Sequence, residues 1–141
     1  MATMPHRDAA LDTSMLIQHV RVQNKRNSFF SRALVLYYPH LSVISVYEME
    51  LGAYRARRAS DLNAFQISFN ILPVTEAIAR KAAKLEADLI HQNLQIGIKD
   101  ILIASTCLVH NLPLLTINVR HFDRVQGLEL IDLNTLPFID E

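Results

Sequence analysis

Three stretches of the chain set a carboxylate among apolar neighbours, and the residue types suit chemistry on a charged substrate. In Gln95-Ile96-Gly97-Ile98-Lys99-Asp100-Ile101-Leu102-Ile103-Ala104-Ser105, Asp100 is the one acid in a segment that is apolar on nearly every side. At about 100° per residue, Ile101, Leu102, Ile103, Ala104, Cys107, Leu108 and Val109 spread round the whole circumference, the pattern of a helix buried in a core. Ionised carboxylates are seldom buried unless paired or holding a metal, so Asp100 has two readings. It is a first-turn charge that favours the helix dipole behind a Gly97 cap, or it is a metal ligand at the mouth of an α/β fold.

Asp12 closes the short apolar run Ala9-Ala10-Leu11 and precedes the amphipathic Met15-Leu16-Ile17-Gln18-His19-Val20, which reads as a strand followed by a helix. Open α/β sheets place their ligands outside the C-terminal ends of strands, where such a carboxylate would sit; a helix cap made with Thr13 or Ser14 is the alternative. The helix expected over 46–57 carries Glu48 and Glu50, about 200° apart and unable to share a site. Gly52, one turn after Glu48, removes a side chain and would admit a phosphate or backbone, whereas Glu50 has Tyr54 one turn on. Glu48 is therefore the candidate, with Arg55 on its face two turns along.

If the three acids met within roughly 5 Å, each pair would repel by ~3 kcal/mol at an effective dielectric near 20. A cation is the natural remedy. Hard oxygen ligands suit Mg²⁺, or Mn²⁺ as a substitute, and not zinc, because no histidine or cysteine pair is spaced to join them.

The elements that must bring these residues together alternate between strand and helix. Beyond those already named, helices are expected over 27–38, where Pro39 would stop the helix, and over 59–70, 75–91 and 98–110, and strands over 40–45, 71–74, 113–117 and 127–131, with a short turn or helix over 118–123. The 75–91 helix has a Thr75 cap and a clean stripe of Ile78, Ala82, Leu85 and Leu89. Such alternation predicts a mainly parallel sheet covered on both faces, which would gather Asp12, Glu48, Asp100 and the Thr116–Asn118 segment at one sheet edge.

At 141 residues, half of them apolar, the chain is expected to be one domain over 9–141 after a polar tail over 1–8, with a core that needs no disulfide. The only cysteine, Cys107, lies mid-helix and reads as a reduced, packed thiol. No apolar run approaches the ~20 residues that cross a bilayer, so a soluble, cytoplasmic protein is expected. The formal net charge is zero, and no bulk basicity announces a nucleic-acid binder. Local basic clusters occur at Arg55, Arg57 and Arg58 and at Arg120 and Arg124; Lys25 and Arg26 read as a solvated face.

Four segments in register carry a family resemblance. Leu11-Asp12-Thr13, Ile44-Ser45-Val46-Tyr47-Glu48-Met49-Glu50-Leu51-Gly52-Ala53, Gly97-Ile98-Lys99-Asp100-Ile101-Leu102-Ile103-Ala104 and Leu115-Thr116-Ile117-Asn118-Val119-Arg120-His121-Phe122 resemble the motifs of PIN-domain ribonucleases, most of all the VapC-type toxins of bacterial toxin–antitoxin modules. The resemblance implies a three-layer α/β/α fold with a five-stranded parallel sheet, Mg²⁺-dependent cleavage of RNA, a homodimer, and a cognate antitoxin that blocks the site. Asp12, Glu48 and Asp100 fall on the family's three core acids. Where many members carry Asn this chain has Ser14, and where a fourth acid is usual it has Asn118 or His121; Asp123 is a third substitute. Asn118 can offer a neutral carbonyl oxygen, and Thr116 would orient a carboxylate or a water. One or two Mg²⁺ ions would then activate a water for in-line attack on a phosphodiester, with Arg55, Lys99 and Arg120 holding the RNA backbone. An unpaired tRNA or ribosomal loop is the expected target class.

Two rivals remain at this level. A haloacid-dehalogenase-type phosphatase also starts from a strand-end acid, but needs a second one where Ser14 stands. A catalytically weakened PIN-like domain that only binds RNA or protein draws its support from the missing fourth acid.

Overall fold

In the computed structural model, which describes residues 6–65 and 67–139, the run Ala9-Ala10-Leu11 is the centre of a strand, β1 (Arg7–Leu11). Successive side chains of a strand point to opposite faces. Ala9 and Leu11 accordingly join a core with Met15, Leu16, Phe30 and Leu41, while Ala10 joins another with Ile103, Ala104, Cys107 and Phe122. Small alanines let helices close on both faces of the sheet.

β1 is followed by α1 (Thr13–Arg21), α2 (Phe29–Ala33), β2 (Tyr37–Ser42), α3 (Val43–Arg55), β3 (Asn70–Leu72), α4 (Glu76–His91), α5 (Ile98–His110), β4 (Leu114–Leu115) and α6 (Val119–Phe122). The strands run in the order β3-β2-β1-β4, and every pairing is parallel. This is the expected α/β architecture. The fifth strand, however, shrinks to one bridge between Leu114 and Leu130, because β4 is two residues long and has only that register to offer.

Other expectations fail for identifiable reasons. The 27–38 segment is not one helix: Ser28 caps the five-residue α2 through Ser31 N–H, and the chain is already strand at Tyr37. Pro39, read from sequence as a helix stop, lies inside β2; β3 pairs only with His40–Ser42, so the missing N–H removes no ladder bond there. The 59–70 segment is a loop with a single 3₁₀ turn, Leu62–Ala64, since Phe65 and Phe69 are drawn into a ring cluster with Phe30 at 4.9 and 5.8 Å. The first strand begins at Arg7, inside the expected tail, because Arg7 N–H reaches Leu36 O at 3.1 Å. By contrast α4 has its Thr75 cap, and α5 covers the expected span behind Gly97.

The core of this arrangement is tight around α5, where Ile101, Ile103, Ala104, Ser105, Thr106 and Cys107 are buried. Burial pushes the Cys107 thiol up to about 12, so it stays protonated and packed. Among the described residues no helix is long and apolar enough to cross a membrane.

Candidate active site

Parallel pairing puts the C-terminal ends of β1, β2 and β4 on one edge of the sheet, and the chain leaves each of them carrying a polar residue. Asp12 follows β1, at the N-cap position of α1, yet its side chain caps nothing. Its Oδ2 instead accepts Ser14 Oγ–H and Thr116 Oγ1–H, both at 2.8 Å. Each hydroxyl in turn accepts a backbone N–H, Ser14 from Ile117 at 3.1 Å and Thr116 from Asn118 at 2.9 Å. The turn after β4 and the first turn of α1 are thereby fastened together around one carboxylate that is only 3% exposed. Its Oδ1 has no hydrogen-bond donor among the described residues.

Asp100 enters from the first turn of α5, where Gly97 supplies no capping side chain. Its Oδ2 lies 2.9 Å from His121 Nδ1 on α6. Burial, and next the negative charge of Asp12, hold the Asp100 carboxyl above the usual range, while His121 and Lys99 pull it down. The two acids therefore act on each other across the pocket. Glu48, from the middle of α3, accepts Thr13 Oγ1–H at 2.7 Å on Oε1, and Lys99 Nζ stands 3.7 Å from its Oε2. Glu50 points elsewhere and takes the Ser60 hydroxyl.

Asp12, Glu48 and Asp100 line one cavity of about 880 Å³, together with Asn118, His121, Lys99 and Arg55. Thr116 sits behind Asp12 rather than on the wall, and Arg120 and Asp123 lie outside the lining. Convergence stops short of a single cluster: among the described residues no group of three His, Cys, Asp or Glu side chains is arranged to hold a metal ion. Glu48 is held back by Thr13 and Lys99. The Asp12–Asp100 pair is the part of the donor set that fits a cation, since it combines hard oxygens, mutual repulsion and an unbonded Oδ1. A Cβ at Gly52 would meet nothing within 4 Å, so the space beside Glu48 on this face of α3 is open.

Sequence reasoning overlooked Thr13 as the partner of Glu48, Ser14 as a support of Asp12, and Arg21 on the cavity wall. One signal was available. Ser14, Gln18 and Arg21 are spaced four and three apart, so once α1 is granted they share the helix face that begins beside Asp12.

The PIN domain family model matches residues 9–128. Ribonuclease VapC1 of Rickettsia felis is 30% identical over 134 residues, covering 89% of this chain and 96% of that protein. Ribonuclease VapC10 of Mycobacterium tuberculosis is 31% identical over 119 residues, covering 84% of this chain and 89% of its own length. Among solved structures, VapBC-1 from nontypeable Haemophilus influenzae superposes with a TM-score of 0.73 at 26% identity, covering 90% of this chain and 98% of that one. VapBC2 from Rickettsia felis, bound to a DNA fragment from its promoter, gives 0.76 at 24% identity, covering 88% and 97%. By sequence and by fold, the chain belongs to the PIN-domain family, among the VapC ribonucleases.

Proposed function

We propose that the chain is a metal-dependent endoribonuclease, the toxin of a toxin–antitoxin pair, that hydrolyses RNA phosphodiester bonds. The observation that carries this is the Asp12–Asp100 pair, one buried and one half-buried carboxylate whose charges oppose each other in one cavity. Asp12 and Asp100 would hold Mg²⁺, or Mn²⁺ in its place, with Glu48 completing the acidic wall. A divalent ion bound there supplies activation of the attacking water and neutralises charge on the leaving oxygen.

The protein's own side chains do the rest. Thr116 and Ser14 fix the Asp12 carboxylate by its Oδ2, and Asp12 lines the cavity. Lys99 and Arg55, both on the cavity wall, attract the RNA backbone, and Arg120 on the outer side of α6 extends that field. Asn118 stands at the cavity edge as a neutral polar group where the family's fourth acid is usual. Solved VapBC complexes pair a VapC with its antitoxin, and we extend that arrangement to this chain: a cognate antitoxin covers the cavity, and the active form is a cytoplasmic homodimer that cuts a tRNA or ribosomal loop.

Purified protein freed of any antitoxin should cut structured RNA in Mg²⁺ or Mn²⁺, stop in EDTA, and lose the activity in Asp100→Asn. Cleavage that persists in the chelator would refute the metal assignment. Tight RNA binding with no cleavage in either metal would make the chain a binding module instead.

A further inference from the structure

The main cavity does not end at the acids. A second cavity of about 570 Å³ lies between α1 and α3, and Ile17, Arg21, Glu48, Gly52 and Arg55 line both. The two spaces adjoin along these residues and together outline a groove from Asp12 and Asp100 past Gly52 into the cleft between the helices. Along it Arg21 and Arg55 project from facing helices, and among the described residues neither guanidinium makes a hydrogen bond or an ion pair. Arg58, at the far end, is by contrast committed to Asp61 at 2.5 Å. Two unpaired guanidinia facing a common cleft are suited to phosphate, which they can grip with paired N–H donors. Between them the wall carries Val20 and Met49 in the second cavity, bare backbone at Gly52, and Glu48, whose charge Lys99 offsets at 3.7 Å.

We propose that this groove is the path of an unpaired RNA strand on one side of the scissile bond, with Arg21 and Arg55 as its phosphate clamp and Gly52 as the opening through which the backbone passes. The inference rests on the nuclease reading above and gives it a direction along the substrate. An unpaired strand is required by the shape of the site. The reacting phosphate must reach Asp12, which is 3% exposed, through a slot walled by α1, α3, the first turn of α5 and the turn after β4. A duplex carries its phosphates on the outside of a wide cylinder and cannot bring both strands into that slot, whereas a loop or single strand can. The apolar walls would then lie against bases and the arginines against the backbone.

Fluorescence anisotropy with a labelled unpaired oligoribonucleotide, in EDTA so that nothing is cut, tests this directly. Arg21→Ala and Arg55→Ala should each weaken binding roughly tenfold and lower the slope of log K against log salt by about 0.7, the value for one phosphate of a single strand. Arg21→Lys should keep most of that slope. Gly52→Leu, whose new side chain enters open space, should leave thermal unfolding intact and yet weaken binding as much as either arginine variant. A fully paired hairpin stem should bind weakly and be insensitive to all of these changes. The proposal is overturned if the variants bind the unpaired strand like the wild type, or if stem and strand lose affinity alike. Its fate is separable from that of the nuclease reading. Wild-type protein that cuts RNA while the variants bind normally would sink the groove alone. Protein that never cuts, but loses binding through Arg21 and Gly52, would sink the nuclease and leave the groove.

Discussion

Thr116→Val tests the idea that two hydroxyls hold Asp12 in place. Thr116 Oγ1 donates to Asp12 Oδ2 at 2.8 Å and accepts Asn118 N–H at 2.9 Å, and the residue is 1% exposed. Valine matches the shape of threonine but removes both bonds. A hydrogen bond to a charged group contributes roughly 1.5–3 kcal/mol, and in a site closed to water no solvent molecule takes its place. Ser14 still serves the same oxygen, so a loss of about 2 kcal/mol is expected, or roughly 6–10 °C in Tm for a chain of this size. Thr116→Ser keeps the hydroxyl and loses one methyl, a change of about 1 kcal/mol. Thermal unfolding in EDTA should thus rank wild type above serine and serine above valine. Ser14→Ala combined with Thr116→Val should be worse than the sum of the singles, because Oδ2 then loses both donors. In calorimetric titration with Mn²⁺, the valine variant should bind the ion roughly 10–100-fold more weakly, as expected when the support behind a ligand is removed. Equal melting of the valine variant and wild type, or equal damage from valine and serine, would show that the hydroxyl does not hold the carboxylate.

Asp100→Asn in metal-free protein should melt at least as high as wild type at neutral pH. The folded state holds the Asp100 carboxyl above the ordinary range, so its ionisation costs stability, a cost absent below that range and acquired as pH rises through the raised value; the two melting curves should converge in acid, and Mg²⁺ should raise only the wild type. Gly52→Ala should gain about 0.5–1 kcal/mol, read by denaturant unfolding, since it removes a mid-helix glycine at a site where the new methyl touches nothing. Cys107, 1% exposed and with its thiol pushed up to about 12, should resist iodoacetamide at pH 8 until the chain is unfolded; rapid labelling of native protein would contradict its packing against Ala10 and Phe122.

The parallel α/β plan could be read from the sequence because β1 and α5 state it in their own composition. Ala9-Ala10-Leu11 is apolar on both faces, and α5 is apolar all round, as only a central strand and a core helix can be. The 59–70 segment could not be read in this way: Leu62, Phe65 and Phe69 are spaced three and four apart like a helix stripe, but what fixes Phe65 and Phe69 is Phe30, more than thirty residues away. Pro39 misled for a related reason, since whether a strand tolerates proline depends on where its neighbour strand ends. In the site, residue types and topology placed Asp12, Glu48 and Asp100 on one cavity. Their hydroxyl and cationic partners stayed hidden, because Thr13–Glu48 and Ser14–Thr116 contacts depend on the angle at which α1 leaves the sheet.

Those partners offset part of the charge of three acids in one cavity. Lys99 stands by Glu48 and His121 by Asp100, each at the solvent side, so two of the three carboxylates have a nearby donor that can swing away. Among the described residues Asp12 has none, and the hydroxyls of Ser14 and Thr116 serve its Oδ2. Repulsion is therefore concentrated between Asp12 and Asp100, which is where Asp100 registers it. Any cation that enters gains most at that pair and must compete with Lys99 only to recruit Glu48, an order of binding that follows from which acids the protein has already neutralised.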